Sequence, residues 1–304
     1  MAVTAEMVKE LRERTGAGMM DCKKALMDTD GDMEKAIELL REKGLAKAAK
    51  KAGRIAAEGL INLKVSEDGK KAVIIEVNSE TDFVAKNMEF QDFVNKLTDI
   101  VLDSGVKTME ELLNYNYSEE GTVSTVLNNK IAKIGENLNI RRFEIIEDPN
   151  AVNVGYIHGG GRIGVLVSFA TDASYNEIVD LGKDVAMQVA AMSPKYISEA
   201  DVDDEYIENE KKILTQQALN EGKDASIVEK MVIGRLKKEL KQVCLLDQAF
   251  VKDSEITVKQ YIDNKAKSLG KSIAAIRMIR FEIGEGIDKK EENFAEEVAK
   301  QMNN

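Results

Sequence analysis

The chain has 304 residues, 43% of them hydrophobic and 32% charged, and a net charge of −11. That length and apolar content suit two or three domains folding in water around real cores, while the acidic balance argues against a surface built on phosphate contacts. One histidine, two cysteines and no tryptophan leave little equipment for covalent catalysis.

Further classes fall away on pattern. No apolar run approaches the roughly 20 residues of a membrane span, and the opening MAVTAEMVKE lacks a basic-then-apolar signal pattern. Cys22 and Cys244 stand in helix-like contexts far apart, which points to a reducing compartment and away from a disulfide framework. A cytoplasmic protein that is not an enzyme, with no membrane and no cofactor of its own, is therefore expected. The patterns CxxC, HExxH, GxSxG and GxxxxGK[ST] do not occur. GYIHGGGRIG, residues 155–164, has the glycines of a phosphate loop, but the VLVSFA that follows reads as a strand where such a loop needs a helix N-terminus. A hairpin turn accounts for those glycines better.

In chain order, residues 1–42 read as a three-helix docking module. Thr4 caps a first helix that runs to about Arg14, with Val3, Met7, Val8 and Leu11 on one side. After the break at TGAGMMD, a second helix carries Cys22, Ala25 and Leu26, and Asp32 caps a third with Met33, Ile37 and Leu40 inward. Met19 and Met20 fit either core filling or an apolar docking surface. The one basic stretch, KGLAKAAKKAGR at 43–54, falls in a linker placed at 43–56. A solvated helix or linker explains it more simply than an RNA contact does.

A core subdomain is expected at 57–148. EGLINLKV and KAVIIEV form a hairpin closed by Asp68-Gly69. NSETDFVAKN then sets an acid and a large aromatic, Asp82 and Phe83, together at a strand end. Asn87 caps a helix to about Asp103 whose apolar face is Phe90, Phe93, Val94, Leu97, Ile100 and Val101. Phe83 precedes Phe90 by one helical heptad, so periodicity alone favours a core residue. Residues 104–130 are polar and helical in parts, and a third strand is expected over 134–146.

The pattern then repeats in a second subdomain, 149–285. Strand, glycine turn and strand recur over 153–170, a helix follows, and RFEI occurs twice, at Arg142–Ile145 and Arg280–Ile283. The second copy is longer by about fifty residues, which matches a helical hairpin at about 195–243 turning at NEGKD. Its stripes of Ile207, Leu214, Ala218, Ile227, Met231, Leu236 and Leu240 are too narrow for a globular core and suit a protruding antiparallel coiled coil. An amphipathic helix with Phe294, Val298 and Met302 closes the chain within 286–304. The fold class expected is α+β.

Five motifs in order, VKELRERTGAGMMDCKKAL at 8–26, TDFVAKN at 81–87, KIGENLNIRR at 133–142, HGGGRIGVLV at 158–167 and RFEIGEGI at 280–287, resemble bacterial elongation factor Ts from end to end. The resemblance implies a UBA-like N-terminal module, a duplicated α+β core with antiparallel sheets, a coiled-coil hairpin and a C-terminal helix. It also implies a guanine nucleotide exchange factor that binds elongation factor Tu and promotes GDP release by disturbing the magnesium held with the nucleotide. The exchange segment of the family falls on Thr81, Asp82, Phe83 and Val84, and its partner contacts on Arg12, Met19, Met20, Ile134, Gly135, Glu136 and His158. Without the resemblance His158 is a turn histidine, and Ser79 departs from the cysteine that many members carry there. A homodimer, or a 2:2 complex with elongation factor Tu, stays open. The alternative is an RNA- or ribosome-associated scaffold without exchange activity.

Overall fold

A computed structural model describes residues 3–15 and 17–288. They form a mixed α+β fold with several small sheets and two compact units. One unit gathers the described residues up to Asn62, Ile75–Phe143 and those from Glu282 on; the other holds Leu63–Ile74 and Glu144–Phe281.

The first unit opens with α1 (Ala5–Thr15), α2 (Met19–Asp28) and α3 (Met33–Lys51). The Thr4 hydroxyl accepts the Met7 N–H at 3.2 Å, and the Asp32 carboxylate accepts that of Lys35 at 3.1 Å. Val8, Leu11, Cys22, Ala25, Leu26 and Ala36 make the small core, with Val3, Met7, Met33, Ile37 and Leu40 packed around it. The expected inward faces are therefore the observed ones. The third helix is longer than the pattern suggested. Alanines carry it through most of the basic stretch, as their helix propensity favours. Lys43 and Lys47 pair there with Asp28 and Asp21 of α2, at 3.0 and 2.8 Å.

Next come β1 (Glu58–Val65) and β2 (Lys71–Ser79), closed by a turn in which Gly69 takes φ +74°. After a one-turn helix, α4 (Asp82–Ala85), α5 (Met88–Ser104) buries Phe90, Phe93, Val94, Leu97, Ile100 and Val101 as the period requires. Residues 104–130, read as partly helical, contain α6 (Met109–Asn114), β3 (Asn116–Ser118), β4 (Gly121–Thr122) and most of α7 (Val123–Ile134). The third long strand, β5, spans Asn139–Glu147 and starts later than the expected 134. Ile134 still belongs to α7, and Gly135 ends that helix with φ +87°, a C-cap only glycine accepts cheaply. The sheet order is β1-β2-β5.

Within this unit Glu76 of β2 is fully buried. Its carboxylate accepts from Arg141 Nη1 at 2.9 Å, Arg142 Nε at 2.6 Å and the Gly284 N–H at 2.9 Å. Burial pushes its pKa up; the Gly284 N–H and the two guanidinium bonds outweigh that and hold it below the usual glutamate range. Gly284 cannot be replaced freely, since φ is +70° and a Cβ would stand 2.2 Å from the Ala57 carbonyl oxygen.

The second unit pairs β6 (Ala151–His158) and β7 (Ile163–Thr171) antiparallel, Val154 opposite Val167. Gly159, Gly160 and Gly161 all take positive φ in the connection. It is a hairpin turn that leads into a strand. Helix α8 (Tyr175–Met192) follows, and its inner face packs on Val152, Val154, Val165 and Val167. At Gly182 a Cβ would lie 2.5 Å from the Val154 Cβ, so helix and sheet meet at a glycine. Gly182→Ala should lower stability by about 1–3 kcal/mol through overpacking. An unchanged denaturant midpoint would refute the close approach.

Two long helices, α9 (Asp204–Asn220) and α10 (Ala225–Val243), form the hairpin. The buried stripe on α10 is Val228, Val232, Leu236, Leu240 and Val243, one position on from the expected Ile227 and Met231; Ile227 is exposed. Spacing by fours and a three selects the valines, which the sequence pattern left undistinguished from their neighbours. Then come β8 (Ala249–Phe250), β9 (Asp253–Thr257), α11 (Val258–Leu269) and β10 (Ile273–Glu282). The second sheet has the order β10-β7-β6. In both long sheets the second hairpin strand is central, with a later strand on its far side. The expected C-terminal helix with Phe294, Val298 and Met302 lies outside the described residues. Among the described residues no helix is long and apolar enough to cross a membrane.

Candidate partner-binding site

The segment after β2 is a helical turn held at its base. Thr81 is the N-cap of α4, in an extended conformation, and its hydroxyl accepts the Val84 N–H at 3.5 Å. Over four residues the helical period sorts the side chains. Val84 and Ala85 turn inward and are buried, while Phe83 faces out with 79% of its surface exposed. The core reading of Phe83 from periodicity is thus corrected. The heptad spacing to Phe90 bridges two helices, because α4 stops at Ala85 and Asn87 caps α5 anew. Phe90 is in the core and Phe83 is not. Asp82 pairs with Lys86 at 2.6 Å, one turn along. Met88, at the first position of α5, is 76% exposed. The sequence reading did not single it out, although it stands off the α5 apolar stripe, and that is the signal that marks it.

Glu136 reaches this base from 55 residues away. Its Oε2 accepts the Thr81 N–H at 3.0 Å and its Oε1 the Thr81 hydroxyl at 2.7 Å. Ile134 and Gly135 are half-buried, at the end of α7 and at its cap. The structure therefore brings Glu136 to Thr81 at the base of the segment.

Arg12, Met19 and Met20 are carried by α1 and α2. All three are exposed, the methionines by 56% and 75%, so Met19 and Met20 do not fill the core. Met27 on the same helix is also exposed and was not anticipated. His158 belongs to the second unit, at the exposed end of β6, where its Nδ1 lies 3.0 Å from the Tyr156 hydroxyl. These groups offer apolar contact, charge and hydrogen bonds to a macromolecule.

Residues 80–285 match the family described as elongation factor TS. The elongation factor Ts of Clostridioides difficile (strain 630) is 59% identical over 300 residues, covering 99% of each chain. The chain belongs to the elongation factor Ts family. Elongation factor Ts of Clostridium novyi (strain NT) is 58% identical over 303 residues, 99% of each chain, and that of Clostridium perfringens (strain SM101 / Type A) is 57% identical over 298 residues, 98% of each. Elongation factor Ts is the nucleotide exchange factor for elongation factor Tu in translation elongation, so the partner is elongation factor Tu and the activity is exchange, not an enzymatic bond change. Bacterial translation elongation runs in the cytoplasm, which is where membership of the family puts the chain.

Proposed function

We propose that the Thr81–Val84 segment carries the exchange. Phe83 wedges beside the magnesium and phosphates of GDP-bound elongation factor Tu, and Asp82 supplies a carboxylate at the same place. The observation that carries this reading is the Phe83 ring, 79% exposed on a helical turn whose neighbours Val84 and Ala85 are buried. A large ring left in water on a tethered turn costs solvation unless a partner covers it. An exchange factor needs no covalent chemistry. It binds the nucleotide-free partner more tightly than the loaded one, and linkage makes it loosen the nucleotide by the same factor. A wedge entering a packed site shifts it between discrete arrangements.

Arg12, Met19, Met20, Ile134, Gly135 and His158 are further partner-facing groups in this reading. The finer architecture belongs to it too: a UBA-like docking module at 1–42, a basic connection at 43–56, a duplicated core at 57–148 and 149–285, and a coiled-coil arm at about 195–243. The common strand order of the two long sheets and the helix following each hairpin support duplication. The RNA-scaffold alternative gains nothing from Lys43 and Lys47, which are paired with aspartates.

Release of fluorescent GDP from elongation factor Tu, with and without the chain, tests the reading. In the same assay, joint replacement Met19→Ser and Met20→Ser should raise the concentration for half-maximal release about tenfold or more, as loss of interface anchors does. An unaltered concentration dependence would remove α2 from the interface. The melt should stay parental because both side chains are exposed.

A further inference from the structure

We infer that Glu136 acts inside the chain, as the positioning residue that aims Asp82 and Phe83, and is not a group offered to elongation factor Tu. This rests on the exchange reading of residues 81–84. Both carboxylate oxygens of Glu136 are spent on Thr81, one on its N–H at 3.0 Å and one on its hydroxyl at 2.7 Å. The neighbouring residues repeat the lock in the opposite sense: Glu80 Oε1 accepts the Asn137 N–H at 2.5 Å. Three hydrogen bonds to carboxylates thus tie 80–81 to 136–137, and bonds to ionised acceptors are among the stronger ones.

The tie matters because α4 is only four residues long. One turn of helix has no stability of its own, since nucleation costs more than a single turn returns. The direction of Phe83 is therefore set by what holds the turn from outside: the burial of Val84 and Ala85 on one side and, at its N-terminal base, what grips Thr81. The gripping turn is in turn fixed from its other side. Lys51 Nζ donates to the Gly135 carbonyl, and Asn137 Nδ2 donates to the Arg54 carbonyl at 2.7 Å and the Ala52 carbonyl at 3.5 Å. A continuous brace runs from the end of α3, through residues 135–137, to the base of α4. The helix that helps build the N-terminal core and the turn that bears Phe83 share one hydrogen-bonded frame. Glu80 and Asn137 join Glu136 in this role, and neither has a signal in the local sequence.

The test uses the full chain with Glu136→Gln, Glu136→Ala, Thr81→Ala and the double variant Glu136→Ala with Thr81→Ala. Two readouts are taken. The first is amide hydrogen exchange of residues 81–85 in the free chain. The second is GDP release from elongation factor Tu over a range of chain concentrations. A positioning role predicts faster exchange at 81–85 in Glu136→Ala, and a maximal release rate lowered about tenfold with the half-maximal concentration changed less than about twofold. Glu136→Gln, which keeps one acceptor oxygen, should fall between parent and Glu136→Ala. The double variant should be no slower than the slower single one, because both remove the same tie. Unchanged amide exchange, or additive losses that appear in the half-maximal concentration, would overturn the inference and return Glu136 to the interface. Should Glu136→Ala melt early, Glu136→Gln and Thr81→Ala carry the comparison. Phe83→Ala separates the two ideas: a parental release rate there, with 81–85 still loosened by Glu136→Ala, removes the wedge and leaves the brace standing.

Discussion

Phe83→Ala should unfold at the parental denaturant midpoint and yet slow GDP release from elongation factor Tu by an order of magnitude or more. Two magnitudes decide this. The ring is 79% exposed, so truncation removes little buried area, and substitutions at such positions usually stay within about 0.5 kcal/mol. A core phenylalanine behaves differently. Phe90, seven residues on and fully buried, should lose roughly 3–5 kcal/mol on the same change. At an interface, truncating an aromatic anchor costs about 2 kcal/mol or more, which is more than tenfold in an equilibrium constant. The deficit should be larger with magnesium present than with magnesium chelated, because the wedge acts against the bound ion. Stability and release rate are measured on one preparation at both magnesium levels. A stable variant that releases GDP like the parent in both conditions would show that Phe83 is not the wedge.

Glu76→Ala should destabilise the first unit by about 3 kcal/mol or more, a loss comparable to that of a core phenylalanine. The carboxylate is fully buried, while the side chains of Arg141 and Arg142 keep 24% and 33% of their exposure. Removing Glu76 takes a charge-assisted bond from each of Arg141 and Arg142, which keep their bonds to Glu285, and leaves the Gly284 N–H without its acceptor. The cluster need not be strongly stabilising for its breakage to be costly, since the loss is mainly that of donors left short of an acceptor. The pH dependence follows from the sign of the shift. The folded pKa lies below the unfolded one, so the native state holds its proton less tightly. The contribution is complete above the unfolded value of about 4.3 and is lost as pH falls through the lower folded value. Urea midpoints of the parent should therefore drop more steeply than those of Glu76→Gln below about pH 4.5. Parallel curves would show that Glu76 does not titrate with folding.

What was legible in the sequence was local. Thr4, Asp32 and Asn87 cap helices because each sits next to the groups it satisfies, and Asp68-Gly69 and the three glycines after His158 close turns for the same reason. Amphipathic faces of one helix, as in α5, were also readable. Errors arose where a period ran across a break or where two neighbours were equally apolar. Phe83 and Phe90 share a spacing but not a helix. The strand β5 starts later than expected because the cap at Gly135 resembles any other glycine, and on α10 Leu236 and Leu240 are buried as expected while Val228 and Val232 take the places expected for their apolar neighbours Ile227 and Met231. The short pair β8 and β9 and the helix α11 after them had no pattern strong enough to draw them. The tie between Thr81 and Glu136 joins residues 55 apart, and no local rule reaches that far.

Glu76 and Gly284 stand 208 residues apart in the chain. A ribosome adding about 5–20 residues per second takes roughly 10 to 40 s to cover that interval. During vectorial synthesis the carboxylate emerges well before its last partner exists, and Asn78, Arg141 and Arg142 precede it. The nascent first unit is thus an open clasp, shut only when the late RFEIGEG stretch leaves the exit tunnel. A factor serving the ribosome's own elongation cycle completes its fold late in the round that makes it.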